Sequence, residues 1–330
     1  MSVSENMPSE QQILKIIRDL TPNSKKYLFD DAALIEKNLV VTTDSLIENT
    51  HFTLKTYTPE EIGWKAMAIN LSDIAAMGAK PLYALVSFSL PKVKAGLKPA
   101  STKWIKHLYK GILACAKKYK TQIIGGNLAR GNEINITITI IGKTIVKMLH
   151  QGISTGKRSN AKPGDLIFTT GDLGNSACGL LLINRCMTKH VPALVSAHKK
   201  PIPQINLGQI IVSACSKHAP ALMDTSDGLA DCLCQIATQS KVKLIVEEDK
   251  IPVSQTFKKA MKLLKINPLK LTLYGGEDYQ LVGTVSKNDC KKIKNLRIIG
   301  KVVKGKGAFL KQKNNKLVKL DLNKAFSHFI

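Results

Sequence analysis

The sequence predicts a mixed fold of helices and strands, α/β or α+β, in two domains. Three observations carry that expectation. Strand-like and helix-like segments intermix in both halves of the chain instead of segregating. The length of 330 residues exceeds the ~250–300 over which one hydrophobic core usually grows. A polar stretch from Met148 to Pro163, containing Gly, Ser, Asn and Lys, separates two sets of candidate strands. The expected division is therefore 1–148 and 149–330.

The elements follow from local pattern. An apolar run makes Leu39–Thr43 a strand candidate, and Leu82–Leu90 and Ile123–Gly125 are further ones. Thr58-Pro59-Glu60-Glu61 reads as a helix start, with Thr58 as N-cap, Pro59 in the first position and Glu61 reaching back. That helix is expected to run to Met77 and stop at Gly78, with Pro81 beyond. A helix is expected over Ser101–Tyr119. Ile134, Ile136, Ile138 and Ile140 alternate with polar residues, which marks a strand with one buried face that continues toward Val146. In the second half, strands are expected at Leu166–Thr170, Val242–Val246, Gln280–Val285 and Ile298–Val303. Helices are expected at Asn175–Met187, Ile205–Lys217, Asp227–Thr238 and Val253–Leu264. No heptads, low-complexity tract or strong internal repeat interrupts this pattern.

Composition narrows the class of function. Apolar residues make up 44% and charged ones 22%, as in an ordinary globular protein. No window approaches 18 consecutive apolar residues, so no membrane span is expected. The opening MSVSENMPSEQQ does not read as a secretory signal, and seven scattered cysteines without a CxxC pair read as reduced thiols of a cytoplasmic protein. The formal charge of +25 suggests nucleic acid at first. Yet only five of the 49 basic residues are arginine (Arg18, Arg130, Arg158, Arg185, Arg297), aromatics are 5%, and the lysines are spread in ones and twos. Arginine makes the bidentate phosphate and guanine contacts, whereas lysine is a common solvated surface residue. No nucleic-acid partner is expected.

The acids are more informative. Nine of the 24 fall in five short motifs: Asp30 and Asp31 in FDDAAL, Asp44 and Glu48 in VTTDSLIEN, Asp73 in NLSD, Asp224 and Asp227 in MDTSDGL, and Glu277 and Asp278 in YGGEDY. Taken singly, each has an ordinary reading: a strand end, a solvated helix face, a helix cap at Ser226 or Asp227, a hairpin turn. Asp73 follows Asn70 by three residues and so shares its helix face. Asp224 and Asp227 lie close together where a strand gives way to a helix, where free N–H groups favour anions. Taken together, Asp, Thr and Ser oxygens without a Cys/His set suggest hard-oxygen ligands, and Mg²⁺ before Zn²⁺. Two carboxylates ~4 Å apart repel by roughly 4 kcal/mol at an effective dielectric of about 20, so converging aspartates need a cation. In IIGGNLARG, two glycines after an apolar strand allow close backbone approach, Asn127 offers an oxygen and Arg130 a phosphate contact. No Walker A, GxGxxG or kinase HRD/DFG signature is present.

In this order the motifs DDAAL, VTTDSLIENTHF, IGWKAMAINLSDIAAMGAKP, IIGGNLARG, AKPGDLIFTTGDLGNSACGL, MDTSDGLADCL, YGGEDYQL and the terminal FSHF resemble the thiamine-monophosphate kinase family. That family belongs to the superfamily that includes aminoimidazole-ribonucleotide synthetase. The resemblance spans nearly the whole chain. It implies an aminoimidazole-ribonucleotide synthetase-like two-domain fold whose N-terminal domain dimerises through its β-sheet. It also implies direct transfer of the γ-phosphoryl group of ATP to thiamine monophosphate, the last step to thiamine diphosphate, in the cytoplasm. Carried over position by position, Asp31, Thr42, Thr43, Asp44, Asp73, Asn127, Asp224 and Asp227 match magnesium positions. Tyr109, Gly126, Asn127, Arg158 and Ser226 match nucleotide positions, and His51, Glu277 and Phe326 match thiamine-phosphate positions. No nucleophile or dedicated base is expected, because a phosphate monoester is largely ionised near neutrality, its second pKa being ~6. The alternatives are another ATP-using enzyme of the superfamily, or a basic nucleic-acid-binding module. A selenophosphate synthetase needs an early reactive cysteine, whereas Cys115 is the first here. A hydrogenase-maturation carbamoyl dehydratase needs a terminal cysteine, whereas Ile330 stands last.

Overall fold

A computed structural model describes residues 10–22, 27–28, 30–36, 38–91, 101–145, 148–149, 152–153 and 155–321. Phe326 lies outside the described residues. In the first half, α1 (Glu10–Leu20) precedes β1 (Ala33–Ile35) and β2 (Leu39–Ile47). Then come α2 (Pro59–Ala76), β3 (Ala79–Pro91), α3 (Thr102–Lys118), β4 (Gln122–Gly131) and β5 (Asn135–Thr144). The five strands form one sheet in the order β1-β2-β5-β3-β4. Its pairs are antiparallel except β3 with β4, which run parallel. The isoleucine alternation does what it predicts: Ile136, Ile138 and Ile140 of β5 are fully buried beneath α2.

The start of α2 carries the expected capping box. The Glu61 N–H donates to Thr58 Oγ1 at 3.3 Å, and the Thr58 N–H to Glu61 Oε2 at 2.8 Å. The helix ends at Ala76 with Met77 as its cap, and Gly78 follows at φ 63°. It is buried almost all round, packed between the sheet, α3 and elements of the second half. Contact with α3 is close enough to exclude Cβ atoms. One built on Gly63 would stand 2.1 Å from the Leu108 carbonyl oxygen, and one on Gly111 2.1 Å from that of Glu60.

A two-stranded ribbon, β6 (Met148–Leu149) and β7 (Gly152–Ile153), leads to the second half. There follow β8 (Leu166–Thr169), α4 (Asn175–Asn184), α5 (Pro192–Lys199), α6 (Ile205–Ala214), β9 (Ala221–Asp224) and α7 (Leu229–Ser240). Next are β10 (Lys243–Glu247), α8 (Gln255–Leu264), α9 (Pro268–Tyr274), β11 (Leu281–Val285) and α10 (Lys287–Cys290). The described chain closes with β12 (Arg297–Val303), β13 (Gly307–Lys311) and β14 (Leu317–Lys319). The seven strands form a second sheet, β14-β13-β10-β12-β8-β11-β9. Its pairs are antiparallel except β10 with β13. Each half thus has its own sheet, but the core beneath the first sheet runs on through Phe168, Ile211, Leu222 and Leu281 of the second half. Among the described residues no helix is long and apolar enough to cross a membrane.

Three local expectations are corrected. The strand expected at Ile123–Gly125 continues to Gly131, so the glycines of IIGGNLARG lie inside a strand. Pairing with β3 overrides their turn preference. The caps expected at Ser226 or Asp227 are absent. Gly228, at φ 101°, makes the turn into α7, which has no side-chain cap. The helix expected to reach Met187 stops at Asn184, and Cys186 follows at φ 57°.

Candidate active site

The aspartates converge. One carboxylate oxygen each from Asp31, Asp73 and Asp224 lies within 4.8 Å of the others. They come from the loop before β1, from α2 and from the end of β9, so three separate elements supply them. Asp31 Oδ2 and Asp224 Oδ2 are buried without a hydrogen-bond partner. Unpartnered buried carboxylate oxygens are costly, and two that face a third acid fit an oxygen-ligated divalent cation. The same crowding shifts the carboxyls. Burial drives the Asp224 carboxyl up to about 8, and the Asp31 charge adds to it. Burial likewise lifts Asp73 well above the usual range, reinforced by Asp44, Asp224 and Asp31. Loss of surrounding water and then the Asp31 charge raise Asp44 to about 6.

β2 and α2 hold this cluster in register. Thr42 Oγ1 donates to Asp73 Oδ2 at 2.5 Å. The Asp44 N–H donates to Asn70 Oδ1 at 2.8 Å, and Asn70 Nδ2 to the Ala66 carbonyl at 3.0 Å. Asn70 and Asp73 therefore do share the helix face turned to β2. Strand alternation sends Thr43 the other way. Its hydroxyl donates to the Ile138 carbonyl at 3.3 Å and accepts from Thr139 Oγ1 at 3.0 Å. Asn127 is exposed on β4, opposite Ser87 of β3. Gly126 precedes it, and a Cβ there would meet the Val86 carbonyl at 1.7 Å. Sheet packing alone accounts for that glycine.

Arg158 is engaged within the protein. Its Nη2 donates to Asp31 Oδ1 at 2.8 Å, Nη1 to Gln235 Oε1, and its backbone N–H to Asp30 Oδ1 at 2.8 Å. Tyr109 is half-buried on α3, edge-on to Phe88 at 6.1 Å. The loop of Ser226 and Asp227 lies against the loop of Glu277. The Glu277 N–H donates to the Ser226 carbonyl at 2.6 Å and the Tyr279 N–H to the Thr225 carbonyl at 3.4 Å. Glu277 and Tyr279 both adopt left-handed backbone, at φ 64° and 49°, a strained geometry characteristic of functional loops.

Glu277 and Asp278, adjacent in sequence, have separate tasks. Asp278 accepts the N–H groups of Gly174 and Ser176 at the start of α4. Glu277 instead meets Lys65 Nζ at 2.7 Å and His198 Nδ1 at 3.2 Å. Burial opposes the Glu277 charge, but Lys65, followed by His198 and His51, brings its carboxyl below the usual range. His51 sits in the turn after β2, its Nδ1 accepting the Ile47 N–H at 3.0 Å. Lys65, His198 and the Lys65 partner Tyr57 (3.3 Å) are residues that the motif reading passes over. One signal was available: Lys65 is the only charge in the helical run IGWKAMAIN.

Comparison with known proteins agrees with this architecture. Residues 29–144 match the family model for AIR synthase related protein, N-terminal domain, and residues 162–313 the one for the C-terminal domain. A thiamine-monophosphate kinase of Buchnera aphidicola subsp. Schizaphis graminum is 37% identical over 326 residues, 93% of this chain and 94% of that protein. The chain belongs to the thiamine-monophosphate kinase family. A crystal structure of a family member from Aquifex aeolicus superposes with a TM-score of 0.82 at 31% identity, over 97% of this chain and 100% of that one. A structure described as AaThiL complexed with AMPPCP and TMP gives a TM-score of 0.84 at 30% identity, over 99% of both chains. The two-domain AIR synthase-like fold expected from the motifs is the fold of this kinase family, and this chain has it.

Proposed function

We propose that the protein phosphorylates thiamine monophosphate with ATP, giving thiamine diphosphate and ADP in the cytoplasm. The observation that carries this reading is the convergence of Asp31, Asp73 and Asp224, two with an unpartnered buried oxygen, in a member of this kinase family. Donor and acceptor both bear phosphate charge, so the chemical task is mostly positioning and charge neutralisation. The donor set fits Mg²⁺, and Asp31, Asp73 and Asp224 would hold it, with Thr42, bonded to Asp73, and Asp44, Asp227 and Asn127 as further proposed ligands. The Thr43 hydroxyl, turned to Ile138 and Thr139, is not brought to the cluster. Bound there, Mg²⁺ supplies positive charge to the phosphates and aligns them.

The chain's own residues do the rest. Asn70 fixes the backbone of Asp44, and Thr42 orients Asp73. Arg158 lies beside Asp31, where its guanidinium can exchange that carboxylate for a nucleotide phosphate. Gly126, Ser226 and Tyr109 are the further nucleotide positions of this reading. His51, Glu277 and Phe326 are its acceptor positions. The acceptor phosphate needs no base, so a direct in-line displacement suffices. We also take the chain to divide near residue 148, which the separate sheets and the two matched ranges support. The exposed outer residues of β4 support dimerisation through the first sheet: Leu128 is 71% and Ile124 50% exposed.

The deciding experiment incubates the purified protein with Mg·ATP and thiamine monophosphate and follows thiamine diphosphate by chromatography. Stoichiometric thiamine diphosphate and ADP are expected. No product, or thiamine as the preferred acceptor, refutes the reading.

A further inference from the structure

Lys65 lies in the middle of α2, one of the most completely buried helices of the protein. Its side chain is 1% exposed, and an ammonium group is rarely taken so far from water without a purpose. It faces Glu277 at 2.7 Å and the Tyr57 hydroxyl at 3.3 Å. The second Glu277 oxygen lies 3.2 Å from His198 Nδ1, and that nitrogen is also 3.0 Å from Ser176 Oγ. A carboxylate only accepts, so the neutral His198 ring carries its proton on Nδ1. Lys65 comes from the first half of the chain. His198, Ser176 and Glu277 come from the second.

Exposure separates Glu277 from the two groups that face its oxygens. Lys65 is 1%, His198 3% and Glu277 27% exposed. Only Glu277 can touch a ligand, and the other two hold it from behind. Each of its oxygens spends one lone-pair direction on a donor and keeps another. The carboxylate thus faces the site as a fixed anion on a strained backbone, φ 64°. Such a group recognises a ligand part that is cationic or carries N–H donors.

We infer that Lys65 is a positioning residue for the acceptor, anchoring the Glu277 carboxylate so that it receives the cationic, amino-bearing ring system of thiamine monophosphate. This rests on the functional reading above and deepens it. Lys65 itself touches no substrate. It acts through Glu277 on acceptor binding and leaves the nucleotide side of the site alone.

Steady-state kinetics on the full-length wild type, K65M, E277Q and the K65M/E277Q double variant test the role. K65M is expected to raise the KM for thiamine monophosphate roughly tenfold or more. Its KM for ATP should stay within about twofold, an acceptor-only split that general loosening of α2 does not produce. E277Q should raise the acceptor KM as well, and adding K65M to E277Q should raise it no further, because no carboxylate is left to hold. Three results overturn the proposal: equal KM rises for both substrates in K65M, a wild-type acceptor KM in E277Q, or an undiminished K65M effect in the E277Q background. Should K65M fail to fold, the comparison of E277Q with the double variant decides, since the double variant leaves no unpaired buried charge. A wild type that makes no thiamine diphosphate overturns the functional reading and the positioning role together. An active wild type with a non-interacting cycle overturns only the latter.

Discussion

Asp224 is buried at the end of β9 with one oxygen unpartnered and its carboxyl pushed up to about 8 by burial and the Asp31 charge. Such a group serves the site at the expense of the metal-free fold. Asp224→Asn should abolish turnover, a loss of roughly a hundredfold or more, while raising metal-free stability by about 1–3 kcal/mol. Between about pH 4 and about 8 the folded protein holds a proton on Asp224 that the unfolded chain has released. The group therefore favours folding in acid, and its contribution fades as pH rises through that window. Thermal melts in EDTA should show the variant's advantage growing from pH 5 to pH 8, and added Mg²⁺ should stabilise the wild type alone. His198 has the opposite sign. Burial and then Lys65 hold its ring near a pKa of about 3, against 6.5 for the free group. Its contribution is complete above pH 6.5 and fades as pH falls toward 3. His198→Gln should flatten the acid side of a plot of urea midpoint against pH. The aspartates were legible because the chain is poor in acid and they gather in five motifs. Lys65 shows only as a lone charge in an apolar helical run, and His198 not at all, because their significance lies in burial and in a partner more than 70 residues away.

At the scale of elements, α2 is the organiser. It bears Lys65, Asn70 and Asp73, and packs so tightly on α3 that Gly63 has no room for a Cβ. Gly63→Ala would drive its methyl group into the Leu108 carbonyl and should cost about 3 kcal/mol or more, visible as a fall of many degrees in a thermal melt. Thr58→Ala removes a single capping contact, so about 1 kcal/mol is expected from the same measurement. The two together distinguish a packing fault from a cap fault in one helix. This helix was readable from Thr58, Pro59 and Glu61 because a capping box is local chemistry. The extension of β4 through Gly125 and Gly126 was not, because the pairing that imposes it comes from β3, some forty residues earlier. Short elements such as α5, α9 and β14 were missed for the same reason: fewer than nine residues leave little periodicity, and tertiary packing makes the choice.

At the scale of the whole molecule, the two halves interlock. The core under the first sheet takes in Phe168, Leu222 and Leu281, and the site draws Asp31 and Asp73 from one half and Asp224 from the other. The length points to two domains, and nothing in it shows that one core crosses between the two sheets. The outer residues of β4 bear on assembly. Light scattering should give about twice the chain mass of 36.1 kDa, and Leu128→Glu, which places charge on the proposed contact, should return the monomer mass. The backbone bonds from Glu277 to Ser226 and from Tyr279 to Thr225 have one more effect. On the proposed reading the first loop meets the acceptor and the second the nucleotide, and main-chain bonds between them tie the ordering of one to the ordering of the other. The two ligands should then help one another, by the same factor in either order of arrival. Calorimetry with a non-hydrolysable ATP analogue should show thiamine monophosphate binding more tightly to the loaded protein, and the analogue gaining equally from the acceptor.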